Sequence, residues 1–176
     1  MTKEQGKTLK ALQDAIQMEI DGKEFYLKAS QVSSNELGRN LLEKLAAEED
    51  VHQQVFEDIY KDISANQHWP GTEFHHDSGR GLRTIFARAL EEMDTDVKAM
   101  PTELDAVQTA MSMENRTYDF YKSRSSKATY NAEKRFYEAL AVQEGEHHRV
   151  LLDYYEFLKD PAAWFVQKEH PSLDGG

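Results

Sequence analysis

Residues 15–30 read AIQMEIDGKEFYLKAS, and residues 110–125 read AMSMENRTYDFYKSRS. The second stretch lies 95 positions after the first (110 − 15) and repeats Ala15, Met18, Glu19, Phe25, Tyr26 and Ser30 as Ala110, Met113, Glu114, Phe120, Tyr121 and Ser125. The same offset, without a gap, aligns LAAEEDVHQQVFEDIY at 45–60 with LAVQEGEHHRVLLDYY at 140–155. Glu49/Glu144 and His52/His147 are among the identical pairs there. Two windows in one register mark an internal duplication. All four windows lack Pro and are rich in strong helix formers. The chain therefore reads as all-α, a four-helix bundle made from a duplicated helical hairpin.

Working outward, the first helix spans about 3–31 and the second ends near Ile63. Ser33-x-x-Glu36 has the form of a capping box between them, and Thr102-x-x-Asp105 that of the third helix start. The third helix reaches about Ser126, and the fourth runs from Asn131 to Leu158. Asp160-Pro161 reads as an N-cap with Pro at the first helical position, opening a short helix with Trp164 and Phe165. Residues 1–160 form the bundle, with a long crossover at 65–102, and 161–176 a short helix and tail. Within the crossover, Leu82–Met93 has helical apolar spacing.

Composition narrows the function. The chain of 176 residues has 21 Lys+Arg against 32 Asp+Glu, a formal charge of −11. That sign repels phosphate backbones and anionic lipid, which argues against nucleic acid and membrane partners. There is no cysteine, so thiolate metal sites and disulfides are excluded. Any metal must be held by His, Asp and Glu. No apolar run has the length of a membrane span and the N-terminus is no signal peptide, so the expected location is cytoplasmic.

Steps of three and four residues trace a seam along each helix. The first seam is Leu9, Leu12, Ile16, Glu19, Lys23, Tyr26, and the third is Leu104, Val107, Met111, Glu114, Tyr118, Tyr121. The second is Leu42, Leu45, Glu49, His52, Phe56, Ile59, Ile63, and the fourth Tyr137, Leu140, Glu144, His147, Leu151, Tyr154, Leu158. Each apolar seam is broken by a Glu. A buried, unpaired carboxylate costs several kcal/mol or takes up a proton. The only cation on the seams is Lys23, whose long stem reaches the surface. Two divalent cations would balance the four carboxylates. The heights agree: Glu19 and Glu49 are centred on residue 34, and Glu114 and Glu144 on residue 129, inside the two turns. One Glu from each of two helices plus Glu-x-x-His from each of the others is a dinuclear carboxylate set. Glu19, Glu49, His52, Glu114, Glu144 and His147 are the expected ligands, and spacing alone does not choose the metal.

These residues resemble the rubrerythrin-type branch of the ferritin-like superfamily. A motif similar to A-x-x-M-E-x-x-x-x-[ED]-F-Y stands at Ala15–Tyr26 and Ala110–Tyr121, and E-x-x-H at Glu49–His52 and Glu144–His147. The resemblance covers about residues 5–65 and 100–160. It implies a ferritin-like fold and two iron ions, with manganese or a mixed pair as the other options. The implied activity is reduction of peroxide or O₂, with electrons from an external donor such as a rubredoxin-like protein, in a homo-oligomer at least dimeric. Tyr26 and Tyr121 are implied to hydrogen-bond the ligands or pass electrons. Two departures stand out. The rubredoxin domain is missing, and Thr117, with Gly22 as its repeat counterpart, replaces an extra ligand Glu of the family. Alternatives are a ferroxidase feeding an iron-storing cage and a bundle whose metals only hold helices together.

Other candidates rank lower. Glu73-x-x-His76 lies in the crossover without a partner Glu, and His68, His75 and His76 read as an ordered turn. Met18 and Met113 read as core. Glu48, Gln143, Asp58 and Asp153 are candidates to orient an imidazole, with solvated surface as the default for most of them. His148 reads as exposed.

Overall fold

The computed structural model describes residues 3–66, 69–70, 82 and 100–164. Four long helices carry the fold: α1 (Lys3–Val32), α2 (Glu36–Asn66), α3 (Pro101–Lys127) and α4 (Asn131–Lys159). No strand occurs among the described residues. The architecture is an all-α, ferritin-like helical bundle. The Glu73/His76 pair, His68, His75, Phe165 and, apart from Leu82, the Leu82–Met93 segment lie outside the described residues.

Each hairpin is antiparallel and in the expected register. Gln13 donates to the Tyr60 hydroxyl at 3.2 Å, and Gln108 donates to the Tyr155 hydroxyl at 2.8 Å. These are the same two positions of the repeat. The apolar core falls into two clusters. One surrounds Leu41, Leu45, Val107, Leu151, Tyr154 and Phe157, and the other surrounds Leu12, Phe56, Ile59, Tyr121, Tyr137 and Leu140. Their heights along the helices leave the polar seam residues as a layer between them.

The seams of α2 and α4 are buried throughout. Those of α1 and α3 are corrected in phase. Tyr118 is exposed, and Lys23 is partly exposed and pairs with Asp50 at 2.5 Å. The two occupy the same repeat position. The inward path steps from Glu19 to Gly22 to Tyr26, and from Glu114 to Thr117 to Tyr121. Residues as small as Ala15 and Gly22 point inward, and the larger Ile16 and Met111 are only partly buried.

Two helix starts also differ from expectation. Asn35, not Ser33, caps α2, its Oδ1 accepting from the Gly38 amide at 2.8 Å. Pro101 opens α3 after Met100, which makes no side-chain cap. Ser33 is otherwise engaged: its hydroxyl donates to Glu103 Oε1 at 2.8 Å. Ser34 and the Tyr154 hydroxyl also donate to this buried carboxylate, the latter at 2.8 Å. Glu103 sits in the first turn of α3, where the helix dipole favours an anion, and ties the α1–α2 turn to α3 and α4. At the same level a Cβ on Gly38 would collide with the Tyr154 hydroxyl and Ser33 Oγ, so close approach requires glycine there. Asp160 caps the following turn as expected, accepting from the Ala163 amide at 2.9 Å. Trp164 is buried edge-on against Phe157.

Candidate metal centre

The structure brings all six sequence-predicted residues together in the layer between the two apolar clusters. Glu19, Glu49, His52, Glu114, Glu144 and His147 are each at most 3% exposed. They form two nests of four donors. Glu19, Glu49, His52 and Glu144 offer atoms within 4.8 Å of one another, and so do Glu49, Glu114, Glu144 and His147. Glu49 and Glu144 belong to both nests. If two ions were bound, Glu49 and Glu144 would be available to both, and Glu19 with His52 and Glu114 with His147 to one each. The imidazoles stack with ring centres 5.9 Å apart. Both turn Nδ1 toward the carboxylates: His52 Nδ1 is 3.1 Å from Glu19 and 3.3 Å from Glu49, and His147 Nδ1 is 3.2 Å from Glu49.

Burial and mutual repulsion load this layer with protons when no cation is present. Burial, then the charge of Glu49, raises the Glu19 carboxyl well above its ordinary range. Burial and the neighbouring charges of Glu49 and Glu114 do the same to Glu144. Burial works against the charged forms of His147 and His52, but the facing carboxylates outweigh it and hold both imidazoles above their ordinary value. Burial also works against charge on Glu49, yet its hydrogen bonds to Glu19 and both imidazoles keep it well below the usual range.

The donor set fits a pair of hard or borderline cations. Glu114 Oε2 and Glu144 Oε1 are buried with no hydrogen-bond partner. Such groups are costly unless something electropositive occupies the space they face. Oxygen and imidazole donors in this number suit iron or manganese.

The surrounding groups hold the ligands from outside. Tyr26 on α1 donates to Glu114 on α3, and Tyr121 on α3 donates to Glu19 on α1. Burial, followed by the Glu114 and Glu49 charges, pushes the Tyr26 phenol up, so it stays a donor. Sequence reasoning treated Glu48 as one of several candidates, and the structure singles it out. Its carboxylate crosses from α2 to α4 and accepts from His147 Nε2 at 3.0 Å and Gln143 Nε2 at 3.1 Å. Burial opposes ionisation of Glu48, but the His147 bond and charge outweigh it and lower its pKa. A carboxylate cannot donate, so His147 carries its proton on Nε2 and offers Nδ1 to the nests. Asp58 and Asp153 are exposed and His148 is half-buried.

A helical bundle with four buried Glu and two buried His shared by its four helices belongs to the class of ferritin-like carboxylate bundles that could hold two metal ions. Within that class the match is specific: the rubrerythrin family model covers residues 10–155, and the chain belongs to the rubrerythrin family. No curated protein and no solved structure matches it.

Proposed function

We propose that Glu19, Glu49, His52, Glu114, Glu144 and His147 hold two iron ions and that the protein reduces hydrogen peroxide or O₂ with electrons from an external donor. The observation that carries this reading is the sharing of Glu49 and Glu144 by two four-donor nests. A single ion would leave Glu19 and His52, or Glu114 and His147, without a counter-charge. When bound, a ferrous pair supplies the two electrons that convert peroxide, with two protons, into two waters. The chain's own part is to fix the ligands through Tyr26, Tyr121 and Glu48, and to close the layer above and below with the two apolar clusters.

These 176 residues hold no cysteine for a thiolate-bound iron centre, and the donor we have in mind is a rubredoxin-like protein. We place the reaction in the cytoplasm in a homo-oligomer of at least two chains. No helix of the described residues is long and apolar enough to cross a membrane.

The test is single turnover. Protein loaded with ferrous iron without air should hold about two irons per chain and consume about one peroxide per pair. Full loading with no consumption of peroxide or O₂ would leave the metals a purely structural role.

A further inference from the structure

The seam between α1 and α3 differs from the other faces of the metal layer. Met18, Asp21 and Gly22 stand at i, i+3 and i+4 on α1 and so share one face. Met113, Arg116 and Thr117 hold the same three positions on α3, 95 residues on. Between the two faces opens a pocket of about 290 Å³, bordered by Met18, Asp21, Met113, Arg116 and Thr117. A second cavity of about 10 Å³ shares Met18, Met113 and Thr117 with it and ends on Gly22 and the four ligand carboxylates. That is room for roughly one water-sized molecule. Glu114 Oε2 and Glu144 Oε1, both buried and without a hydrogen-bond partner, belong to residues that line this inner cavity.

The α2–α4 side and the two ends of the layer are occupied by described residues. The Glu48–His147–Gln143 hydrogen bonds join α2 to α4. The two apolar clusters occupy the levels above and below. Gly22 matters to the remaining side. A Cβ there would already touch Glu49 Cγ at 3.5 Å, so any longer side chain would fill the inner cavity.

Resting on the dinuclear reading above, the geometry points to the α1–α3 seam as the inlet for a small uncharged ligand of two heavy atoms. Met18 and Met113 form its gate, and Gly22 and Thr117 set its size limit. Unbranched thioether side chains can part without breaking hydrogen bonds. Their apolar walls, with carboxylates beyond, disfavour anions. Asp21 and Arg116 at the mouth carry opposite charges and add no net charge. The inlet therefore admits hydrogen peroxide or O₂ and rejects organic hydroperoxides.

Nitric oxide, neutral and diatomic, tests the inlet without relying on turnover. Its association with the reduced, iron-loaded protein is followed by stopped-flow absorbance, with iron content measured in parallel. Thr117→Phe, with iron content unchanged, should slow association roughly tenfold or more, the scale of a steric mismatch in a pocket. Gly22→Leu should do the same from the opposite helix, and it decides the matter if Thr117→Phe loses iron. The double variant Met18→Ala/Met113→Ala should raise the rate with tert-butyl hydroperoxide relative to hydrogen peroxide by about tenfold. Wild-type nitric oxide rates in an iron-replete Thr117→Phe or Gly22→Leu protein would overturn the inlet, as would an unchanged peroxide ratio in the double variant. If the wild-type protein binds nitric oxide but consumes no peroxide or O₂, the proposed function fails while the nitric oxide rates still decide the inlet.

Discussion

Replacing Glu48 probes how the bundle holds one of the two imidazoles proposed as metal ligands. Glu48 is 8% exposed and belongs to neither nest, yet its Oε2 accepts a hydrogen bond from His147 Nε2 at 3.0 Å. A hydrogen bond to a charged group contributes about 1.5–3 kcal/mol, and one between neutral groups about 0.5–1.5 kcal/mol. Glu48→Gln keeps the shape and an acceptor oxygen but removes the charge. The difference, about 1–1.5 kcal/mol, corresponds to roughly tenfold in affinity. Glu48→Ala removes the acceptor as well and should cost about 10- to 100-fold, the range for a group that orients a metal-bound histidine. Manganese(II) titration serves as the assay, because the free ion has a sharp paramagnetic resonance signal. The loss should fall on one binding step, that of the nest containing His147. Lys44 lies 3.4 Å from the other Glu48 oxygen and is 41% exposed, so Lys44→Met is the control and should change affinity little. Wild-type affinity at both steps in Glu48→Gln would refute the reasoning, and so would an equal loss in Lys44→Met.

Three further outcomes follow from the same geometry. The duplication supplies its own control: Glu19→Ala and Glu114→Ala should each lower metal content by comparable amounts, because each removes one end carboxylate, and elemental analysis showing full loading in either would break the symmetry argument. The metal-free protein should lose stability as pH rises from about 5 to about 8, because Glu19, Glu144, His52 and His147 all have raised folded-state pKa values and such groups stabilise only while protonated; metal replaces those protons, so the gap between loaded and metal-free melting temperatures should widen with pH, and a gap that narrows contradicts this. Gly38→Ala should cost about 1–3 kcal/mol in denaturant unfolding, since the new methyl must displace the buried Tyr154 hydroxyl and with it a bond to Glu103; an unchanged midpoint would mean the turn relaxes freely.

The buried cluster of four Glu and two His was legible in the sequence because its chemistry is repeated. A Glu on an apolar seam is ambiguous once, but four at matched heights, two followed by His, leave few alternatives. The phase of α1 and α3 was less legible. Reading the bulky Ile16 and Met111 as inward shifted the seam onto Lys23 and Tyr118, whereas the inward residues at those levels are Ala15, Ala110, Gly22 and Thr117. Small residues carry a weak hydropathy signal even where they set how closely two helices approach. Glu103 was missed for a different reason. Its partners Ser33 and Ser34 lie about 70 residues away in sequence, and nothing local distinguishes it from an ordinary first-turn Glu. Glu48 stood next to a ligand, but only packing decides that its carboxylate crosses to α4.

The pattern of divergence between the two halves has a physical order. The groups that hold the layer together are kept: Glu19/Glu114, Glu49/Glu144, His52/His147 and Tyr26/Tyr121. Each kept pair acts across the pseudo-twofold relation, as when Tyr26 donates to Glu114 and Tyr121 to Glu19. Changing one member of such a pair would strand a buried group contributed by the other half. Other positions differ between the halves. Glu48 becomes Gln143, Asp21 becomes Arg116 and Gly38 becomes Glu133. The first of these has an electrostatic consequence inside the site. A carboxylate and an amide now occupy equivalent places, and the amide of Gln143 donates to the Glu48 oxygen that also holds His147. A second carboxylate at 143 would sit within about 3 Å of Glu48, and like charges that close cannot both ionise. One charge at this height is therefore the most that the α2–α4 face can hold, and the duplicated site is symmetric in its ligands but not in what stands behind them.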